Sequence, residues 1–194
     1  MLDPRTPIHM SLPEIEFTVL RRTIALRGTT RMVLFPVTML GWAVLAMVVL
    51  TFAEAPLASL FPLAVLVGGF EAIHALHVGA ERIGRYLQVY YEDVENVEKG
   101  PRWETTVVAI GPGLPGGGID PLFTFVFACA AFLNIVPALA LVPGPTRTEL
   151  GVIGVLHLLF VIRVVRARGA AARQRAVELE SFRAVKQNSR NLKG

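Results

Sequence analysis

The sequence predicts an all-α integral membrane protein with four transmembrane helices, an N-terminal interfacial helix, and second and fourth helices that extend into the cytoplasm. Three observations carry that reading. The 194 residues are 53% hydrophobic with a mean hydropathy of +0.54, too apolar for a soluble domain of this length. Four runs, at about 32–53, 56–78, 119–142 and 150–165, approach or exceed the ~20 residues that cross a hydrocarbon core. The basic residues then collect on one side of those runs.

Arg5, Arg21, Arg22, Arg27 and Arg31 precede the first run. Arg82, Arg85, Lys99 and Arg102 lie between the second and third, and nine more run from Arg163 to Lys193. Only Arg147 falls opposite, so the positive-inside rule places both termini in the cytoplasm. The N-terminal 31 residues are polar and the first apolar run is too long for a signal-peptide core, which leads us to expect a multi-pass protein of a bacterial-type inner membrane. The net charge of +4, concentrated on one face, suits anionic lipid. No basic, aromatic-bearing module for nucleic acid is visible.

The expected organisation is an arm and interfacial helix over 1–31, a membrane domain over 32–166 with a cytoplasmic insert at 79–118, and a C-terminal helix and tail over 167–194. Ser11 and Glu14 have capping-box spacing and open the amphipathic first helix, which Gly28 is expected to end. That helix can lie on the leaflet or pack against the extended second helix. Pro36 is expected to kink the first span.

A very short turn, Ala53 to Pro56, makes spans one and two an antiparallel hairpin. Within the second, Gly68 with Ala72 and Ala75 with Gly79 have the small-xxx-small spacing that admits a close helix neighbour. The helix is expected to continue from Leu57 to Glu98. Beyond it, Trp103 to Ile110 is rich in Thr and Val and reads as a short strand or extended segment. The glycine-rich 111–118 stretch is read as a linker, because no Gly-Lys-Ser/Thr follows it. Asp120-Pro121 then starts the third span. Thr146 and Glu149 offer a second capping box for the fourth, which can run to about Gln187 with Gly169 as a possible bend.

One polar stripe carries the candidate chemistry. At 100° per residue, Glu71, His74, His77, Glu81, Arg85, Gln88 and Glu92 share about a third of the second helix's circumference. Glu71-x-x-His74 resembles the ligand pair of di-iron carboxylate bundles, but the second Glu-x-x-His that such a centre needs is absent. Glu71, His74 and His77 are therefore carried as candidate metal ligands, in a centre shared between copies, with a transition metal or haem as the cofactor class.

The structural alternative pairs polar residues at equal depth. Glu71 follows Leu57 by as many residues as Arg163 follows Glu149, about 21 Å at about 1.5 Å per residue, so these two are expected as an intramembrane ion pair. By the same ruler Asn134 and His157 lie level and are expected to hydrogen-bond. The lone Cys129 excludes an intrachain disulfide. No hydrolase, zinc-protease or phosphate-transfer motif is present.

The functional expectation is a non-catalytic membrane protein acting through assembly, as a homo-oligomer or an accessory subunit of a membrane complex. The Leu87, Tyr90 and Val94 face, which needs cover, and the unpaired Trp103–Ile110 segment motivate it. A redox protein built on Glu71, His74 and His77 is the alternative, and a proton or ion conductor using the same stripe is a third.

Overall fold

The computed structural model describes residues 11–92, 103, 105–106, 121–140 and 144–192, and is all-helical with no strand among them. Helix α1 runs over Leu12–Phe52. A 3-10 turn at Pro56–Ser59 leads into α2, Leu60–Leu87, which is followed by a π-helical turn at Gln88–Glu92. Helices α3 (Pro121–Leu133) and α4 (Ile135–Ala140) are separated by a turn at Asn134, and α5 spans Arg147–Asn191. Four helical stretches are long and apolar enough to cross a membrane: Leu12–Phe52, Pro56–Glu92, Phe123–Ala140 and Arg147–Ala167.

Both capping boxes form. Ser11 N and Oγ donate to Glu14 Oε2, at 2.7 and 2.9 Å, and Thr146 N and Oγ1 donate to Glu149 Oε2, each at 2.8 Å. Each satisfies a backbone donor that a helix start leaves without an intrahelical partner.

The centre of the bundle is aromatic. Phe70 of α2 meets Phe123 and Phe127 of α3 and Phe160 of α5, with ring centroids 5.4–6.1 Å apart. Leu63, Leu66 and Ile73 extend that core along α2, while Leu34, Phe35, Met39 and Trp42 close it from α1. Where α1 crosses α2, Gly69 faces Thr38 so closely that a Cβ would overlap its side chain. Glycine here lets two backbones approach.

Four sequence expectations change. First, α1 does not end at Gly28 and no separate interfacial helix forms. A helical glycine costs only about 1 kcal/mol. Here Arg31 docks on His77 of α2 and holds the continuing helix against its neighbour. The amphipathic segment packs along α2, the second of the two placements open to it.

Second, α2 gives way at Gln88 to a π turn. Tyr86 and Tyr91 are five residues apart and would diverge by about 140° on an α-helix, whereas the wider turn aligns them. Both hydroxyls donate to Glu16 of α1, at 2.8 and 2.7 Å.

Third, the third span is not one rod. Pro137 cannot donate to Leu133, and the chain turns at Asn134. Fourth, Trp103, Thr105 and Thr106 are helical, not extended, and Thr105 N and Oγ1 both donate to Glu92 Oε2 at 2.8 Å. The rest of 107–120, like Val94, lies outside the described residues. α5 passes Gly169 unbroken and continues to Asn191.

The Leu87–Tyr90 face is also covered within the chain. Leu87 is buried, Tyr90 stacks on Tyr86, and Lys186 of α5 lies over the Tyr90 ring while donating to the Val89 carbonyl.

Candidate functional site

The polar side chains of α2 and its neighbours form three layers along the bundle. The first joins Trp42, Ser59, Asn134 and His157. The turn at Asn134 aims its amide inward, where it is fully buried. Trp42 Nε1 donates to Asn134 Oδ1 at 3.0 Å, and Asn134 Nδ2 donates to the Ser59 carbonyl at 2.8 Å and to His157 Nε2 at 3.0 Å. His157 Nδ1 lies 2.7 Å from the Ile153 carbonyl. A carbonyl only accepts, so Nδ1 carries the proton and Nε2 is left to accept. Both ring nitrogens are engaged, and the imidazole is neutral in this tautomer.

The second layer is the pair at equal depth. Arg163 Nη2 donates to Glu71 Oε2 at 2.8 Å, and the guanidinium also sits over the Phe70 ring, 5.7 Å from its centroid. His74 also stacks on Phe70, at 5.8 Å, and its Nδ1 is buried without a hydrogen-bond partner among the described residues. The Arg163 and Glu71 side chains are 43% and 42% exposed, which leaves this pair on the outer surface of the bundle.

The third layer lies toward the end where α1 begins and α5 ends. Arg31 Nη1 lies 2.8 Å from His77 Nδ1. Guanidinium only donates, so the His77 proton sits on Nε2, which lies 3.6 Å from Glu81 Oε1. Glu81 also receives Arg175 at 2.9 Å and Arg85 at 3.3 Å. Arg85 is buried, and its Nη2 is 2.7 Å from Glu178 Oε2. Arg82 and Gln174 complete the shell of Glu178, at 2.9 and 2.8 Å from its Oε1. Burial raises the Glu178 pKa, but hydrogen bonds from Arg82, Gln174 and Arg85 outweigh it and hold the carboxyl below its ordinary range.

The stripe is therefore split among partners. Glu71 turns to Arg163, His74 stacks on Phe70 and His77 meets Arg31, while His74 Nδ1 and His77 Nε2 have no hydrogen-bond partner among the described residues, so within one chain the three candidate metal ligands do not converge. Among the described residues no three of His, Cys, Asp and Glu are placed to hold a metal ion. His157 and Asn134 are brought together, as are Glu71 and Arg163. Sequence reasoning missed Trp42, Ser59, Arg31, Arg175 and Glu178. The depth ruler places Trp42 about one turn deeper than Asn134, within reach of an indole. It had no hold on Glu178, whose position depends on α5 staying straight past Gly169.

Comparison of this chain with protein-family models, curated proteins and solved structures gave no match.

Proposed function

We propose that this chain is a non-catalytic membrane protein that acts through assembly, as a homo-oligomer or as an accessory subunit of a larger membrane complex, with both termini cytoplasmic. One observation carries the reading: an ion pair on the outer surface of the bundle, inside its apolar length. Glu71 and Arg163 lie about 21 Å from the outer ends of their spans, within a hydrocarbon core about 30 Å thick, and each side chain is over 40% exposed. A charged side chain facing hydrocarbon costs several kcal/mol, so charges within spans face protein or water. A neighbouring membrane helix supplies that enclosure.

The third layer supports the orientation. Arg31 meets His77 while Arg82, Arg85 and Arg175 share the carboxylates of Glu81 and Glu178, and this positive excess suits the anionic lipid of a cytoplasmic leaflet.

The test is the mass of the purified protein in lipid nanodiscs. More than one chain per particle, or a stoichiometric membrane partner, is expected, and Glu71→Leu lowers that occupancy. A uniform monomer under native-lipid conditions contradicts the proposal.

A further inference from the structure

Beside the Glu71–Arg163 pair, the outer face of α2 is built of small residues. Ala64, Gly68, Ala72 and Ala75 are all exposed and, with Glu71, fall within about a third of the helix circumference. A Cβ at Gly68 would meet nothing within 4 Å, whereas Gly69 and Gly79 are occupied by Thr38 and Arg27 of α1. Of the small residues legible in the sequence, Gly79 thus serves the fold and the line Ala64, Gly68, Ala72 is left over.

We infer that this face receives a second copy of the same chain, related by a twofold axis along the membrane normal, with Glu71 of each copy facing Arg163 of the other. The inference rests on the assembly reading and commits it to one occupant. Three features select that occupant. The patch carries one charge of each sign, so it is complementary to itself. Its two charges are level, and rotation about the membrane normal preserves depth, which sets each carboxylate opposite a guanidinium. Glu71 uses Oε2 for its own Arg163, which leaves Oε1 for the partner.

The resulting cluster holds two carboxylates and two guanidinium groups, closed by the helices on either side. The small residues set how closely the two α2 helices approach, and hence whether the charges reach one another. A different membrane subunit would have to present its own matched pair at the same depth. A second copy does so by construction.

The test is disulfide cross-linking in native membranes, in a background where the lone Cys129 is replaced by Ala. A cysteine pair bridges when its Cα atoms approach within about 4.4–6.8 Å. Ala72→Cys, and separately Gly68→Cys, are expected to shift the chain from monomer to covalent dimer on mild oxidation. Leu158→Cys, exposed on α5 about 140° from Arg163, is expected to remain monomeric. If neither α2 variant cross-links while nanodisc particles still hold more than one chain, this face is the wrong one and assembly stands. A monomeric particle overturns both readings. Equal cross-linking at Leu158 marks random collision and overturns the assignment.

Discussion

Asn134→Leu perturbs the bundle at a fully buried, hydrogen-bonded amide. The amide is fully buried and makes three hydrogen bonds, at 2.8–3.0 Å, to Trp42, Ser59 and His157. Leucine keeps the volume and removes all three. Interhelical hydrogen bonds inside membranes average about 0.6 kcal/mol and reach about 1.7, so the loss comes to between about 2 and 5 kcal/mol. The Trp42 indole N–H and His157 Nε2 are left buried without partners, which puts the value in the upper half of that range. Equilibrium unfolding in mixed micelles of mild and denaturing detergent, followed by circular dichroism, reads the difference. A double-mutant cycle with Trp42→Phe isolates the indole bond, with an expected coupling of about 0.6–1.7 kcal/mol. Destabilisation below about 0.5 kcal/mol would refute the reasoning, since the three groups would then be satisfied without the amide.

Gly69→Val is expected to cost about 1–3 kcal/mol by forcing α1 from α2 at Thr38, whereas Gly79→Ala is tolerated because only the movable Arg27 guanidinium stands in its way; thermal unfolding of the two variants separates them. Glu178→Gln removes the carboxylate shared by Arg82, Arg85 and Gln174 and, with Arg85 buried, is expected to destabilise the α2–α5 extension by about 2 kcal/mol, below the full cost of breaking a buried pair because Arg82 is exposed. The folded-state pKa of Glu178 is depressed, so its contribution is full above the unfolded-state value of about 4.3 and disappears as pH falls through the folded value. Hydrogen exchange in α5 should accordingly distinguish Glu178→Gln from the parent at neutral pH and cease to do so in strong acid.

What the sequence reveals here is what depth and period control. Equal counts from the span ends bring Glu71 level with Arg163 and Asn134 level with His157, and the structure holds both pairs at hydrogen-bond distance. Capping boxes at Ser11 and Thr146 are local and equally legible. Gly28 misleads because a lone glycine is a weak stop, overridden when Arg31 and Glu16 dock on a neighbouring helix. The turn at Asn134 is written in Pro137, although the length of the apolar run hides it. The π turn at Gln88–Glu92 has no local signal, since its cause is the convergence of two tyrosines on Glu16. The half-exposure of Glu71 and Arg163 is also invisible to periodicity: the stripe shows which residues share a face of α2, but only the placement of α5 shows that Arg85 and Gln88 are buried while Glu71 reaches the outer surface.

The central claim is that this ion pair is completed between copies. Its most direct test is charge-reversal complementation with two differently tagged chains, one bearing Glu71→Arg and the other Arg163→Glu. Each alone sets four like charges at its own twofold contact and is expected to be monomeric. Co-expressed, they place opposite charges across that contact, and mixed dimers should co-purify while same-tag pairs do not. Dimers of either variant alone, or no mixed dimers on co-expression, would contradict the account.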